Sequence, residues 1–285
     1  MSTTPREVER LRRPSPETLY RDFVSANRPV VIEGVADAWP AVARWTPEFF
    51  KSSFADALVS VRSWDGDEPF DEPGAYLKNK VGVTRLGSFV DAMRSAADPQ
   101  SYVLALPLFK QFPQLKGDVE TLDAFMGLPS YYPEMLRRKL KEEPRFFLGP
   151  AGTVSALHFD GYHNFFVQVY GRKKFTLISP EQSRFVYYPW AYPRTHYSPV
   201  NVGRPDLERF PLFQNVTPLE AVVSPGEILF IPVRWWHYVV ALEESISLNF
   251  WWYSASTLLR LRHPLFVHNK GRLLRYLRRR LGKSR

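Results

Sequence analysis

The chain has 285 residues, 45% of them apolar, a formal net charge of +9 and no cysteine. That length and apolar share suit one large domain with a substantial core, or one domain plus a small attachment, and exclude a disordered or fibrous chain. The missing cysteines exclude disulfides, Fe–S clusters, Cys-ligated zinc and thiol nucleophiles, which leaves His, Asp and Glu as available metal ligands.

Residues 1–17 carry charges and prolines but no apolar h-region, and nowhere is there an apolar run of about eighteen residues. The expectation is a soluble, intracellular protein of the cytoplasm. Residues 1–140 read as a mixed α/β region that packs on a β-rich core formed by the later part of the chain. Pro16 to Val24 suits a short helix, Arg28 to Gly34 a strand, and Thr46 to Phe54 a helix opened by a Thr-Pro-Glu cap. Leu58 to Ser63 reads as a strand, Leu86 to Ala96 as a helix and Tyr102 to Leu106 as a strand. The Pro-punctuated stretch Phe112 to Pro133 is expected to shape an opening.

From Arg145 the texture becomes a succession of strands: Phe146 to Leu148, Val154 to Phe159, Asn164 to Tyr170, Lys173 to Ser179, Leu219 to Val223, Glu227 to Ile231, His237 to Ala241 and Ser245 to Tyr253. Each is short, β-rich and bounded by Gly, Pro or charged turns. Such a series predicts a mainly β fold with flanking helices, a double-sheet jelly roll whose core is residues 141–253. The excursion from Glu181 to Pro218 has little periodicity and is expected to form a loop or lid near one end. The chain carries no repeat, P-loop, GxGxxG or GxSxG motif.

The net charge resides in residues 254–285, which hold ten Lys and Arg and no Asp or Glu, against 28 basic and 29 acidic residues before them. Leu273, Leu274, Leu277 and Leu281 recur near helical spacing among Arg272, Arg275, Arg278, Arg279 and Arg280, which spells a basic amphipathic tail helix. A helix of that kind can pair with a second subunit, lie on an anionic membrane or touch the phosphates of RNA. A solvated helix docked loosely on the body fits the pattern as well.

The chemistry concentrates at His158-Phe159-Asp160. In a strand, residues two apart share a face, so His158 and Asp160 project side by side while Phe159 points away. His237, in Phe230 to Val240 after the turn Ser224-Pro225-Gly226-Glu227, supplies a third ligand from another strand. Two imidazoles and a carboxylate on one side of an ion leave opposite positions open, as a non-haem Fe(II) oxygenase requires. Either element alone is more often a chance tripeptide or a packed histidine. His163 is the local rival, but its parity differs from that of Asp160 and turns it outward.

The run His158 to Phe175, the segment Glu208 to Val216, the segment Pro225 to Pro232 with Trp235-Trp236-His237, and Asn249-Phe250-Trp251 together resemble the Jumonji C, cupin-like hydroxylases. Within that family the likeness is strongest to the asparaginyl hydroxylase that inhibits hypoxia-inducible factor. It covers roughly Arg28 to Tyr253. The resemblance implies a double-stranded β-helix that binds Fe(II) and the cosubstrate 2-oxoglutarate and uses O2 to hydroxylate or demethylate. His158, Asp160 and His237 match the metal ligands, and Lys173 the lysine that pairs with the far carboxylate of 2-oxoglutarate. Ser155 stands where close relatives have a threonine, Tyr102 matches a tyrosine at the same end, and Asn164, Asn249 and Trp251 match residues lining the cosubstrate pocket.

Strand parity gives Lys173 independent support. Lys173, Phe175 and Leu177 share one face and Lys174, Thr176 and Ile178 a more polar one, and a buried dianion needs a cation to offset its desolvation. Asn164, Phe166, Gln168 and Tyr170 also share a face, as do Asn249 and Trp251. The function expected is dioxygenase hydroxylation of a protein or peptide side chain. The alternatives are hydroxylation of RNA, touched through the basic tail, or of a small molecule, and a non-catalytic metal-binding cupin. A homodimer through the C-terminal helix completes the expectation.

Overall fold

The computed structural model describes residues 6–63, 80–95, 101–128, 130–188 and 196–253. The basic tail, with the subunit and RNA contacts expected of it, lies outside the described residues.

Fourteen strands occur among the described residues: β1 (Arg6–Glu7), β2 (Arg10–Arg12), β3 (Val30–Glu33), β4 (Leu58–Ser63), β5 (Lys80–Arg85), β6 (Tyr102–Pro107), β7 (Arg145–Gly149), β8 (Val154–Phe159), β9 (His163–Tyr170), β10 (Lys173–Ile178), β11 (Leu219–Val223), β12 (Ile228–Ile231), β13 (Trp236–Ala241) and β14 (Ser245–Trp252). They form a five-stranded sheet, β1-β11-β10-β13-β8, and a nine-stranded sheet, β2-β3-β12-β9-β14-β7-β6-β4-β5. Apart from β10 and β11, which pair with each other in the small sheet, strands β8 to β14 alternate between the two sheets with antiparallel partners, the jelly-roll arrangement that the eight strand segments predict.

Each face of the large sheet has its own layer. Phe146 and Leu148 of β7, Phe165 and Val167 of β9, Ile228 and Phe230 of β12, and Leu248 and Phe250 of β14 point to one side and join the main core. Helices of the N-terminal region close that side with Leu19, Trp39, Trp45, Phe50, Leu86 and Phe89. The helix Pro47–Phe54 starts as its sequence predicts, with Thr46 Oγ1 accepting from the Phe49 amide at 3.0 Å. The residues between, such as Phe166, Leu229 and Ile231, meet Phe175, Leu177 and Val239 of the small sheet in an inner layer.

Several expectations need correction. In the stretch Phe112 to Pro133, short 3-10 turns drive Phe112, Leu115, Leu122 and Met126 into the main core, a packing role that its prolines did not announce. His163 does point away from Asp160, but it points into that core and not to solvent: it is 1% exposed, and its Nδ1 accepts from the Val233 amide at 3.1 Å. Tyr170 leaves the face of Asn164, because the pairing of β14 with β9 slips between Ile246 and Ser247 and sends Val169 and Tyr170 both against the main core. Strands β1, β2 and β5 lie where no strand was expected, and the first helix unwinds after Leu19 into a π-turn over Tyr20–Val24.

The excursion after β10 does more than cap an end. Val186, Tyr188 and Val216 pack on Ile178, Trp236 and Tyr238, adding a layer to the outer face of the small sheet. Its residues 196–198 return beside β8, where Phe159 N–H donates to the His196 carbonyl and Ser198 N–H to that of Leu157.

Candidate metal centre

Between the two sheets lies a cavity of about 520 Å³. Adjacent strands of the small sheet furnish one wall: His158 from β8 and His237 from β13 stand opposite each other in register, and Asp160 comes directly after β8. The local cause is strand parity, which holds His158 and Asp160 on the cavity side while Phe159 packs edge-on against Trp236. The ligand atoms of His158, Asp160 and His237 all lie within 4.8 Å of one another, and His237 Nε2 is 4.0 Å from Asp160 Oδ2.

Both imidazoles are oriented by backbone. His158 Nδ1 lies 2.8 Å from the Ala156 carbonyl and His237 Nδ1 3.0 Å from that of Trp235, contacts that place the proton on Nδ1 and leave each Nε2 lone pair for an ion. Removal from bulk water pulls both imidazoles down to about 4, with each other's charge adding to the effect at His158, so they are neutral at physiological pH. Neutral imidazole is the form that ligates. The carboxylate is braced from the opposite wall, where Trp251 Nε1–H donates to Asp160 Oδ2 at 3.1 Å.

Lys173 occupies the same cavity farther along the strands. On β10, Leu177 stands opposite His237 and Lys173 opposite Ala241. Four residues of strand separate the levels, roughly 13 Å, and the lysine stem reaches back over about half of that. The remainder suits a short dicarboxylate spanning from metal to ammonium. The hairpin that delivers Lys173 depends on Gly171 at φ +67°, where a Cβ would strike the Glu244 carbonyl. Lys173 Nζ donates to Ser247 Oγ at 3.1 Å and lies over the rings of Phe166 and Phe147. Among the described residues no carboxylate pairs with it, and desolvation pushes it down to about 8. Its rivals are engaged elsewhere, Lys174 with Glu220 and Arg172 with Glu243.

Ser155, Asn164, Asn249 and Trp251 all line this cavity. The buried Oδ1 atoms of Asn164 and Asn249 have no hydrogen-bond partner among the described residues. An unneutralised buried cation and two orphaned amides are what a bound polar acid would satisfy, so the donor set fits both a divalent ion and 2-oxoglutarate. Tyr102 stands behind the lining, packed with Ala156, Leu104, Phe147 and Tyr197. Sequence reasoning missed His196, Tyr197 and Arg62, whose side chains bring polar groups to the cavity. His196 and Tyr197 come from the excursion after β10, and the Tyr197 ring stacks on His158 at 5.3 Å. Arg62 comes from β4, where only the alternation of buried Val59 and Val61 with exposed neighbours signals its direction.

Residues 16–258 match the model of the family described as the cupin-like domain. Lysine-specific demethylase 8 of Danio rerio is 33% identical over 253 residues, 87% of this chain and 58% of that protein. The bifunctional peptidase and (3S)-lysyl hydroxylase JMJD7 of Homo sapiens is 28% identical, covering 84% of this chain and 81% of its own length. tRNA wybutosine-synthesizing protein 5 of Homo sapiens is 26% identical over 86% of this chain and 77% of its own. The chain spans little more than half the length of the demethylase relatives it matches. The finer likeness to the asparaginyl hydroxylase rests on the motifs alone.

Proposed function

The chain belongs to the cupin-like domain family, and from that premise we propose that it is an Fe(II)- and 2-oxoglutarate-dependent dioxygenase that hydroxylates a side chain of a protein or peptide. The observation that carries this reading is the meeting of His158, Asp160 and His237 in one cavity with the unneutralised Lys173. Relatives named as lysine demethylases and as a lysyl hydroxylase support a protein substrate.

When bound, Fe(II) and 2-oxoglutarate supply the oxidising chemistry, drawn from O2 and the cosubstrate's own decarboxylation. The chain supplies the rest. His158, Asp160 and His237 hold the ion on one side only, which leaves positions facing the cavity. Trp251 donates to Oδ2 of Asp160 and so orients the carboxylate beside the two imidazoles. Lys173 takes the far carboxylate of the cosubstrate as a charge-assisted pair, with Ser155 and the amides of Asn164 and Asn249 along its length. Phe147, Phe166 and Phe175 exclude water from the same space and strengthen these contacts. The placing of Tyr102 at the lysine end, and the cytoplasmic location, RNA contact and tail-mediated dimer expected from the sequence, belong to this proposal too.

Anaerobic titration with Fe(II) and 2-oxoglutarate tests it. We expect the weak visible charge-transfer band of the chelate, dependent on both ligands and lost in His158→Ala. A folded protein that binds metal yet shows no band overturns the cosubstrate assignment and leaves a metal-binding cupin.

A further inference from the structure

The two sheets of the barrel differ in width, and the difference leaves one surface that no described residue covers. The small sheet ends at β8 and the short bridge at Tyr197, opposite Tyr102, Leu104 and Phe147. The large sheet continues past that point into β4 and β5. Register fixes which side chains share the cavity-side face there: Arg62 stands opposite Val81, Ser60 opposite Val83 and Leu58 opposite Arg85. Val59 and Val61 point the other way into the main core.

This face exposes three aliphatic side chains among Ser60, Arg62 and Arg85. Leu58 is 62% exposed, Val81 65% and Val83 67%, although β-branched residues on a sheet normally gain by being covered. It runs directly into the cavity, because Arg62 belongs to both: Arg62 lines the cavity beside Leu104 and Ala105, and pairs across β6 with Tyr102. Among the described residues Arg62 has no carboxylate partner, whereas nearby Arg85 is held by Asp56. The outer edge of β5 also bonds to no strand among the described residues, so its backbone is open to an extended chain.

We infer that the cavity-side face of β4 and β5 is the docking platform for an extended polypeptide substrate, with Arg62 receiving an acidic side chain of that substrate close to the residue being oxidised. This rests on the oxygenase reading and adds to it the substrate's chemistry. Apolar side chains two apart on the polypeptide meet Val81, Val83 and Leu58, and the guanidinium offers a carboxylate two parallel hydrogen bonds at the cavity rim. A phosphodiester backbone has nothing to place on three exposed aliphatic residues, which favours polypeptide over nucleic acid.

The test uses the full chain loaded with Mn(II) and 2-oxoglutarate, which hold the site without turnover, to select from a displayed pool of random 12-residue peptides. We expect enriched peptides to carry Asp or Glu with apolar residues at alternate positions. Arg62→Glu should reverse the preference to Lys or Arg, and Val81→Asp with Val83→Asp should weaken the binding of enriched peptides at least tenfold. Enrichment with no acidic preference, or one indifferent to Arg62→Glu, overturns the inference. So does loss of the Fe(II) and 2-oxoglutarate band in Arg62→Glu with the fold intact, which would assign the guanidinium to the cosubstrate. Tighter binding of a 12-nucleotide single-stranded RNA than of any selected peptide overturns it as well. If the wild-type chain forms no band, the oxygenase reading fails by itself, and the same selection on unloaded protein still decides the platform.

Discussion

The indole N–H of Trp251 donates to Oδ2 of Asp160 at 3.1 Å, tying β14 of the large sheet to the metal-binding edge of the small one. Trp251→Phe keeps the ring and removes the donor, so the carboxylate loses its orientation while the packing persists. Loss of such an outer contact costs about 10- to 100-fold in metal affinity. Mn(II) titration followed by electron paramagnetic resonance should show a drop of that size, with an unchanged far-ultraviolet circular dichroism spectrum.

Asp160→Ala removes the one anionic ligand of the group and leaves two neutral imidazoles. We expect no measurable decarboxylation of 2-oxoglutarate by the variant under conditions where wild type turns over. Succinate formation at the wild-type rate would sink the metal assignment.

Lys173 carries a pH signature. Burial lowers its folded pKa from 10.5 to about 8, so between those values the unfolded chain binds more protons than the folded one. Stability of the ligand-free protein therefore rises as pH climbs through that window, and the stabilising difference is absent below it. Binding of a dianion runs the other way, since it needs the ammonium: affinity for 2-oxoglutarate should be full below pH about 8 and fall up to tenfold per pH unit above it. Lys173→Ala should weaken binding by about 10- to 100-fold, in line with about 1.5–3 kcal/mol for a charged hydrogen bond, and flatten that profile. An unchanged profile in the variant would remove Lys173 from the cosubstrate site.

Gly171→Ala tests the hairpin that aims Lys173. The left-handed backbone alone costs about 1–2 kcal/mol, and contact with the Glu244 carbonyl adds to it. Gly152→Ala, at φ +80° with open space around it, carries only the conformational cost. Urea denaturation should show Gly171→Ala as clearly the more destabilising. Equal losses would mean that the turn relaxes around the methyl group.

Much of the fold was legible because period-two alternation is a local signal and the barrel strands are bounded by Gly, Pro and charged turns. The ends of β8 and β11 coincide with the spans read from sequence, and His158 and Asp160 share a face for the same reason. What was illegible depends on partners far along the chain. The slip opposite Val169 is made by β14, and no pattern within β9 announces that Tyr170 will change sides. β1 and β2 are two and three residues long and exist through parallel pairing with β11 and β3. Arg62 is one arginine in a half-exposed strand until β6 carries it to the cavity. The bond from Trp251 to Asp160 crosses from one sheet to the other, which periodicity cannot report.

The pairing of His158 with His237 also bears on how the chain folds. These residues lie on strands distant in sequence, with β9 to β12 and the long excursion between them, so their meeting is a non-local closure. An ion that needs both imidazoles has no site in the unfolded chain and binds only after that closure. By mass action its occupancy therefore adds to global stability, by about 2.7 kcal/mol when free ion stands at a hundred times its dissociation constant. Metal supply would then set how much of the protein survives proteolysis as well as how fast it turns over, and a strong chelator should lower its melting temperature before any substrate is present.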